Sequence, residues 1–187
     1  MGLLGETKPV KKPILGVSLY PEQETMEEIE NYLTMASRYG FTKIFTSMFS
    51  VPGTKEEVFD YFKNFCDLAH KHGMKVSGDC NTAFFKKMGA SESDISIFKE
   101  MGIDIIRMDL PYFDQRDVTL INNPYNITIE LSSCMIQAVR MALENGANPK
   151  NFSTCHNFYP ERYTASDLES IREVNKELSN LGIPSAV

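Results

Sequence analysis

From about residue 14 onward the chain repeats one hydrophobic pattern. A helical stretch, apolar at spacings of three and four, ends at a glycine, and a short apolar run follows. The instances are "ASRYGFTKIFTS", "AHKHGMKVSGD", "FKEMGIDIIRMD", "ALENGANPKNFSTCH" and "LSNLGIPSAV". Ile29, Leu33 and Ala36 recur at helical spacing, as do Val58, Phe62, Phe65 and Ala69. Gly40, Gly73, Gly102, Gly146 and Gly182 stand where a helix C-terminus needs positive φ. Helix starts are marked by Pro21 and Glu22, by Thr54 with Glu57 three residues on, by Ser91 and Ser93, and by Ser166. The pattern predicts strands near 14–20, 42–47, 74–79, 104–109, 127–131, 152–156 and 183–187.

Strand–helix alternation of this kind means a parallel sheet. Two architectures satisfy it, a doubly wound open sheet and a TIM-type (β/α)8 barrel. The glycines of a dinucleotide-binding turn are missing from "SLYPEQET", and there is no phosphate-binding P-loop pattern. In either fold, function gathers at the C-terminal ends of the strands. Counting back by twos from each expected end gives Ser18 and Tyr20, Ser77 and Asp79, Arg107 and Asp109, Thr128 and Glu130, and Thr154 and His156, with Thr46 joining from the second strand. The alternate positions are largely apolar. A barrel brings the polar phase to one centre, whereas an open sheet spreads it over two faces, so the barrel accounts for more of the pattern.

Such a centre suits acid–base chemistry by carboxylates on a polar or anionic substrate. Paired carboxyl groups surrounded by Ser, Thr, Tyr and Asn fit glycoside hydrolysis. The geometry favours Glu130 and Asp109 as the pair, on adjacent strands, with Asp79 in reserve. Arg107 and His156 would orient the carboxylates or bind substrate oxygens. Asn123, in the turn "NNPY", is a further candidate for substrate binding. Structural roles compete with these: Asp79 or Asp109 pairing with Arg107, and Asn123 holding that turn. The alternatives are a metal on His156, Asp79, Asp109 and Glu130, as in a metal-dependent barrel isomerase or aldolase, which the cation of Arg107 in their midst opposes, and a non-catalytic sugar-phosphate-binding fragment. Cys155 and His156 are consecutive in a strand and point apart, which removes a Cys–His nucleophile.

Composition narrows the partners. With 187 residues and 42% hydrophobic content the chain can bury a core, and its net charge of −6 offers no basic stripe for nucleic acid. Cys66, Cys80, Cys134 and Cys155 match no metal-finger spacing and fit thiols of an intracellular protein. Residues 1–13 are a polar tail unlike a signal peptide, and no apolar run is long enough for a membrane span.

The segments "LGVSLYPEQET", "ASRYGFTKIFTSMFSV", "IIRMD", "NNPYNITIELSSC" and "CHNFYPERYT" resemble the MupG-like 6-phospho-N-acetylmuramidase family, glycoside hydrolase family 170. The resemblance runs from about Leu15 to the end. It implies a TIM-type barrel followed by a smaller β domain. It also implies cytoplasmic hydrolysis of a phosphorylated amino-sugar disaccharide in peptidoglycan recycling, with no cofactor. Tyr20, Pro21 and Glu22 match the family's first-strand motif, Asp79 its third-strand aspartate, and Arg107 with Asp109 its fourth-strand pair. Glu130 matches the fifth-strand glutamate, and His156 with Asn157 the sixth-strand pair. Tyr159 joins the expected substrate-binding set. The turns "CNTAFF" and "LPYF" and Ala165 depart from the family pattern and bear on substrate preference. Residues 14–187 are expected to be the N-terminal portion of such a barrel. Its unclosed edge would expose apolar surface and favour self-association.

Overall fold

The computed structural model describes residues 14–109, 114–131, 136–155 and 165–186. His156, Asn157 and Tyr159 therefore lie outside the described residues. The strands are β1 (Gly16–Ser18), β2 (Lys43–Ser47), β3 (Lys75–Asp79), β4 (Ile105–Met108), β5 (Thr128–Leu131), β6 (Phe152–Cys155) and β7 (Ser185–Ala186). The helices are α1 (Met26–Arg38), α2 (Lys55–Lys71), α3 (Thr82–Met88), α4 (Ser96–Met101), α5 (Gln115–Ile121), α6 (Ile136–Glu144) and α7 (Ala165–Asn180). All seven strands form one sheet in the order β1-β2-β3-β4-β5-β6-β7, each parallel to the next. A doubly wound sheet reverses its strand order at a switch point. This order never reverses, so the architecture is an incomplete TIM-like barrel.

Local chemistry accounts for most of the elements. Thr54 caps α2 by accepting a bond from Glu57 N (3.2 Å), while Glu57 Oε2 accepts from Thr54 N (2.7 Å). The same box opens α1, but on Thr25 and Glu28 rather than at Pro21, whose segment Pro21–Gln23 is a separate 3-10 turn. α4 also starts later than "SESD" indicates. Ser91 and Asp94 bridge to each other, and the helix begins at Ser96 with no side-chain cap.

One phase of the sheet packs under the helices. Thr46, Gly78, Ile106, Ile129 and Phe152 follow one another in register across five strands, and the row is almost wholly apolar. Beside it, Ile44 and Val76 join Ile29, Leu33, Val58, Phe62, Phe65 and Phe98 in a single buried cluster. The sheet also curls. Ile14, just ahead of β1, and Pro184, just ahead of β7, line the same cavity of about 330 Å³ at the N-terminal ends of the strands.

Gly102 is required twice over. Its φ is +90°, closing α4, and a Cβ there would lie 2.9 Å from Cys66 Cβ of α2. Gly146 has φ +96° but open space around it. Gly102→Ala should therefore lower unfolding free energy by about 1–3 kcal/mol, and Gly146→Ala by about 1 kcal/mol. Urea denaturation of the two variants tests the difference, and equal losses would contradict the contact.

Candidate functional site

The other phase of the sheet is concave and polar. Ser47, Asp79, Arg107, Glu130 and Ser153 stand in continuous register from β2 to β6. Below them run Phe45, Ser77, Ile105 and Thr128. Barrel strands are tilted and staggered, so a row in register climbs or sinks relative to the barrel mouth. Asp79 is the last residue of β3, whereas Glu130 has Leu131 after it and Ser153 lies near the start of β6. The row thus sinks inward from Asp79 to Ser153.

Asp79 is half-buried at the rim. Its carbonyl accepts from Met48 N (3.0 Å), and Cys80 N donates to Arg107 O (2.9 Å), so β3 stays paired past its end. Two residues on, Asn81 caps α3 by accepting from Phe84 N (2.8 Å), which stiffens the exit from the strand. Burial pushes the Asp79 carboxyl above its ordinary range. Arg107 on the neighbouring strand pulls it down, and Asp109 and Glu130 push it up again. Arg107 is buried, with its guanidinium carbon 4.9 Å from the centre of the Phe45 ring, a cation–π contact. Asp109 follows β4 and is exposed. This group is the mouth of the site.

Glu130 is placed differently from the sequence expectation. It is only 2% exposed, beneath the mouth, and its carboxylate is ion-paired to the buried Lys43 ammonium. It also accepts from Ser77 Oγ (3.2 Å) and Ser153 Oγ (3.5 Å). The carboxylate is thereby bound by donors from β2, β3 and β6. Lys43, Ser153 and Phe45 were missed by counting back from strand ends. The signal for Lys43 was available: Ile44 is apolar and belongs with the helices, which puts Lys43, Phe45 and Ser47 on the other face.

Three further expectations need correction. Thr46 pairs in register with Gly78, on the helix-facing phase, so it does not join the polar ring. It is fully buried, and its hydroxyl has no hydrogen-bond partner among the described residues. Thr154 likewise falls on the helix-facing phase, in register with Leu131, while Ser153 and Cys155 take the concave one. Asn123 lies in the turn before β5, at the opposite end of the sheet from the mouth. There its amide donates to Leu120 O (3.0 Å) and Ile127 O (2.8 Å), and its Oδ1 accepts from Tyr125 N (3.1 Å), so it holds the turn.

Tyr20, 44% exposed, borders a second cavity of about 370 Å³ after β1, shared with Ser18, Gln23, Glu24, Glu28 and Tyr32. Glu22 is exposed and lies close enough to α2 to influence Tyr61. That phenol is pushed up to about 12, first by burial and then by the Glu22 charge. Among the described residues no three His, Cys, Asp or Glu groups come together to hold a metal ion. No helix among them is long and apolar enough to cross a membrane.

A curled parallel sheet with acidic and basic side chains at the C-terminal ends of its strands has the layout of a TIM-barrel enzyme. Residues 15–187 match the family described as 6-phospho-N-acetylmuramidase, N-terminal, and the chain belongs to that glycosidase family. Among solved structures it is similar to an uncharacterized B. cereus protein, with 30% identity and a TM-score of 0.74 over 94% of this chain and 47% of that one. A conserved Enterococcus faecalis protein of unknown function is 21% identical, with a TM-score of 0.72 over 92% of this chain and 47% of that one. The β-mannanase of Thermomonospora fusca shares the fold at 12% identity, with a TM-score of 0.59 over 92% of this chain and 67% of that one. The chain thus spans about half (47%) of the length of the first two relatives. No curated protein matches it.

Two measurements check this geometry. Lys43→Met leaves the Glu130 carboxylate buried and unpaired and should cost about 3–5 kcal/mol of stability. Lys43→Met with Glu130→Leu should recover most of that loss, and a double variant no more stable than the single one would contradict the pairing. For Asp79 the folded state holds the proton more tightly than the unfolded chain does. Its stabilising contribution is therefore complete below the unfolded carboxylate value of ~4 and is lost as pH rises through the higher folded value. Asp79→Asn should raise the urea midpoint at pH 7 and leave it nearly unchanged at pH 3.

Proposed function

We propose that this protein contributes the catalytic face of a glycosidase that cleaves disaccharides containing 6-phospho-N-acetylmuramic acid. The observation that carries the reading is Asp79 in register with Arg107 at the barrel mouth, with the Asp79 carboxyl raised and Asp109 two residues beyond Arg107. Membership in the 6-phospho-N-acetylmuramidase family supports the substrate class.

The residues divide the chemistry by their surroundings. A general acid must hold its proton near working pH, and burial raises the Asp79 carboxyl in that direction. Asp79 is therefore assigned to protonate the leaving glycosidic oxygen. Asp109, exposed at the mouth, is assigned to attack the anomeric carbon or to activate the water that does so. Glu130 is sealed beneath them in an ion pair with Lys43, so the acid role passes from it to Asp79. Arg107 supplies a cation for a phosphate or carboxylate of the sugar. Tyr20 and the cavity beside it offer an aromatic wall for a sugar ring. His156, Asn157 and Tyr159 remain assigned to substrate binding from the family resemblance. Such a substrate places the protein in peptidoglycan recycling in the cytoplasm.

Hydrolysis of a phosphomuramyl disaccharide, followed by release of the phosphosugar, tests the assignment. Asp79→Asn and Asp109→Asn should each lower kcat by about 100-fold or more. The alkaline limb of the wild-type pH profile should lie above the ordinary carboxylate range. An Asp79→Asn protein that turns over at the wild-type rate removes Asp79 from the mechanism. Absence of both hydrolysis and phosphosugar binding by the wild type overturns the reading.

A further inference from the structure

The Lys43–Glu130 pair joins strands that are not neighbours. β3 and β4 lie between β2 and β5, and on a flat sheet three strand spacings would hold them about 14 Å apart. Side chains stand nearly perpendicular to a sheet, so a lysine and a glutamate on a flat one do not meet across that span. They meet here because the sheet curls, and the contact in turn opposes its flattening. The lysine is the first residue of β2 and reaches its partner from below, on the side away from the mouth. Both residues are buried. With Ser77 and Ser153 also donating, the carboxylate has three donors from three other strands, which satisfies a buried anion.

We propose that Lys43 is a positioning residue for the site: it holds the Glu130 carboxylate beneath Arg107 and so fixes the order of charges under the mouth as Asp79, Arg107, Glu130, Lys43. Its bearing on turnover rests on the proposed role of Asp79, but the charge order itself does not. Neither Lys43 nor Glu130 is placed to touch a substrate at the mouth, and they act through the two residues above them. Asp79 is faced by Arg107 and Asp109 from β4, by Glu130 from β5 and, behind that, by Lys43 from β2. The thiols of Cys80 and Cys155 add no charge near neutral pH, because burial pushes both up. A fixed anion behind Arg107 offsets part of that cation's pull on Asp79, and Lys43 limits the offset by neutralising it.

The full chain, labelled with ¹³C at aspartate carboxyl carbons and with Asp79→Asn used for assignment, tests this by NMR titration. Glu130→Gln removes the anion and keeps the ammonium, so the Asp79 midpoint should fall by about 0.5–1 pH unit. Lys43→Met with Glu130→Gln removes both charges and should return the midpoint to within about 0.3 unit of wild type. An unmoved midpoint in Glu130→Gln, or a double variant that stays with the single one, overturns the proposal. The wild type gives an independent readout should the variants not fold. The Lys43 ammonium should exchange with solvent far more slowly than that of Lys63, whose ion pair with Asp67 is exposed. Equal exchange rates overturn the proposal as well. None of these readouts involves turnover, so failed hydrolysis with the shifts intact would count against the proposed reaction and not against Lys43.

Discussion

A carboxylate without water must be bound by donors, and the concave face of this protein is organised by that requirement at Glu130. Its oxygens draw Lys43 from β2, Ser77 from β3 and Ser153 from β6 to one point. Those strands converge only on a curled sheet. An apolar core alone would accept a range of curvatures, because hydrophobic burial has no direction. A buried ion pair with two added hydrogen bonds does not, since each bond fails within a fraction of an ångström. Whether the pair adds net stability over an apolar replacement is a separate matter from the geometry it imposes.

The staggering of the strands then separates two kinds of acid. Asp79 and Glu130 belong to one continuous row, with Arg107 between them. Asp79, at the strand end, keeps contact with solvent while losing enough of it for its proton to be held more tightly. Glu130 sinks below the mouth and is ion-paired to Lys43. One row of side chains thus supplies a proton-holding group at the rim and an ion-paired carboxylate below it, set apart by burial depth and by the partners each one meets. Arg107 stands between them in register and lies over the Phe45 ring, which gives the mouth a cation without exposing it widely.

The scaffold was largely legible in the sequence. Each of the seven strands falls within the interval the hydrophobic pattern marks out, and Gly40, Gly73, Gly102, Gly146 and Gly182 all take positive φ. The Thr54–Glu57 box opens α2 as expected. These features depend on local sterics and on which face of an element meets water, and both are written in neighbouring residues. The site was legible in part. Asp79, Arg107 and Glu130 do share a phase, but Thr46 and Thr154 do not. "FTS" and "FSTC" each set two hydroxyl residues side by side, and either phase can then look polar. Asn123 was drawn toward the site by its motif, whereas its amide closes the turn before β5.

By itself, the order of residues determined the alternation of strands and helices, the helix boundaries set by caps and glycines, and the presence of one polar phase on a parallel sheet. Those properties follow from interactions spanning a few positions along the chain. Tertiary structure alone decided how deep each polar residue lies and which partner it meets. Lys43 and Glu130 are 87 residues apart, and only the curl and stagger of the sheet bring them into contact. No local pattern encodes that stagger, because it is a property of all the strands packed together.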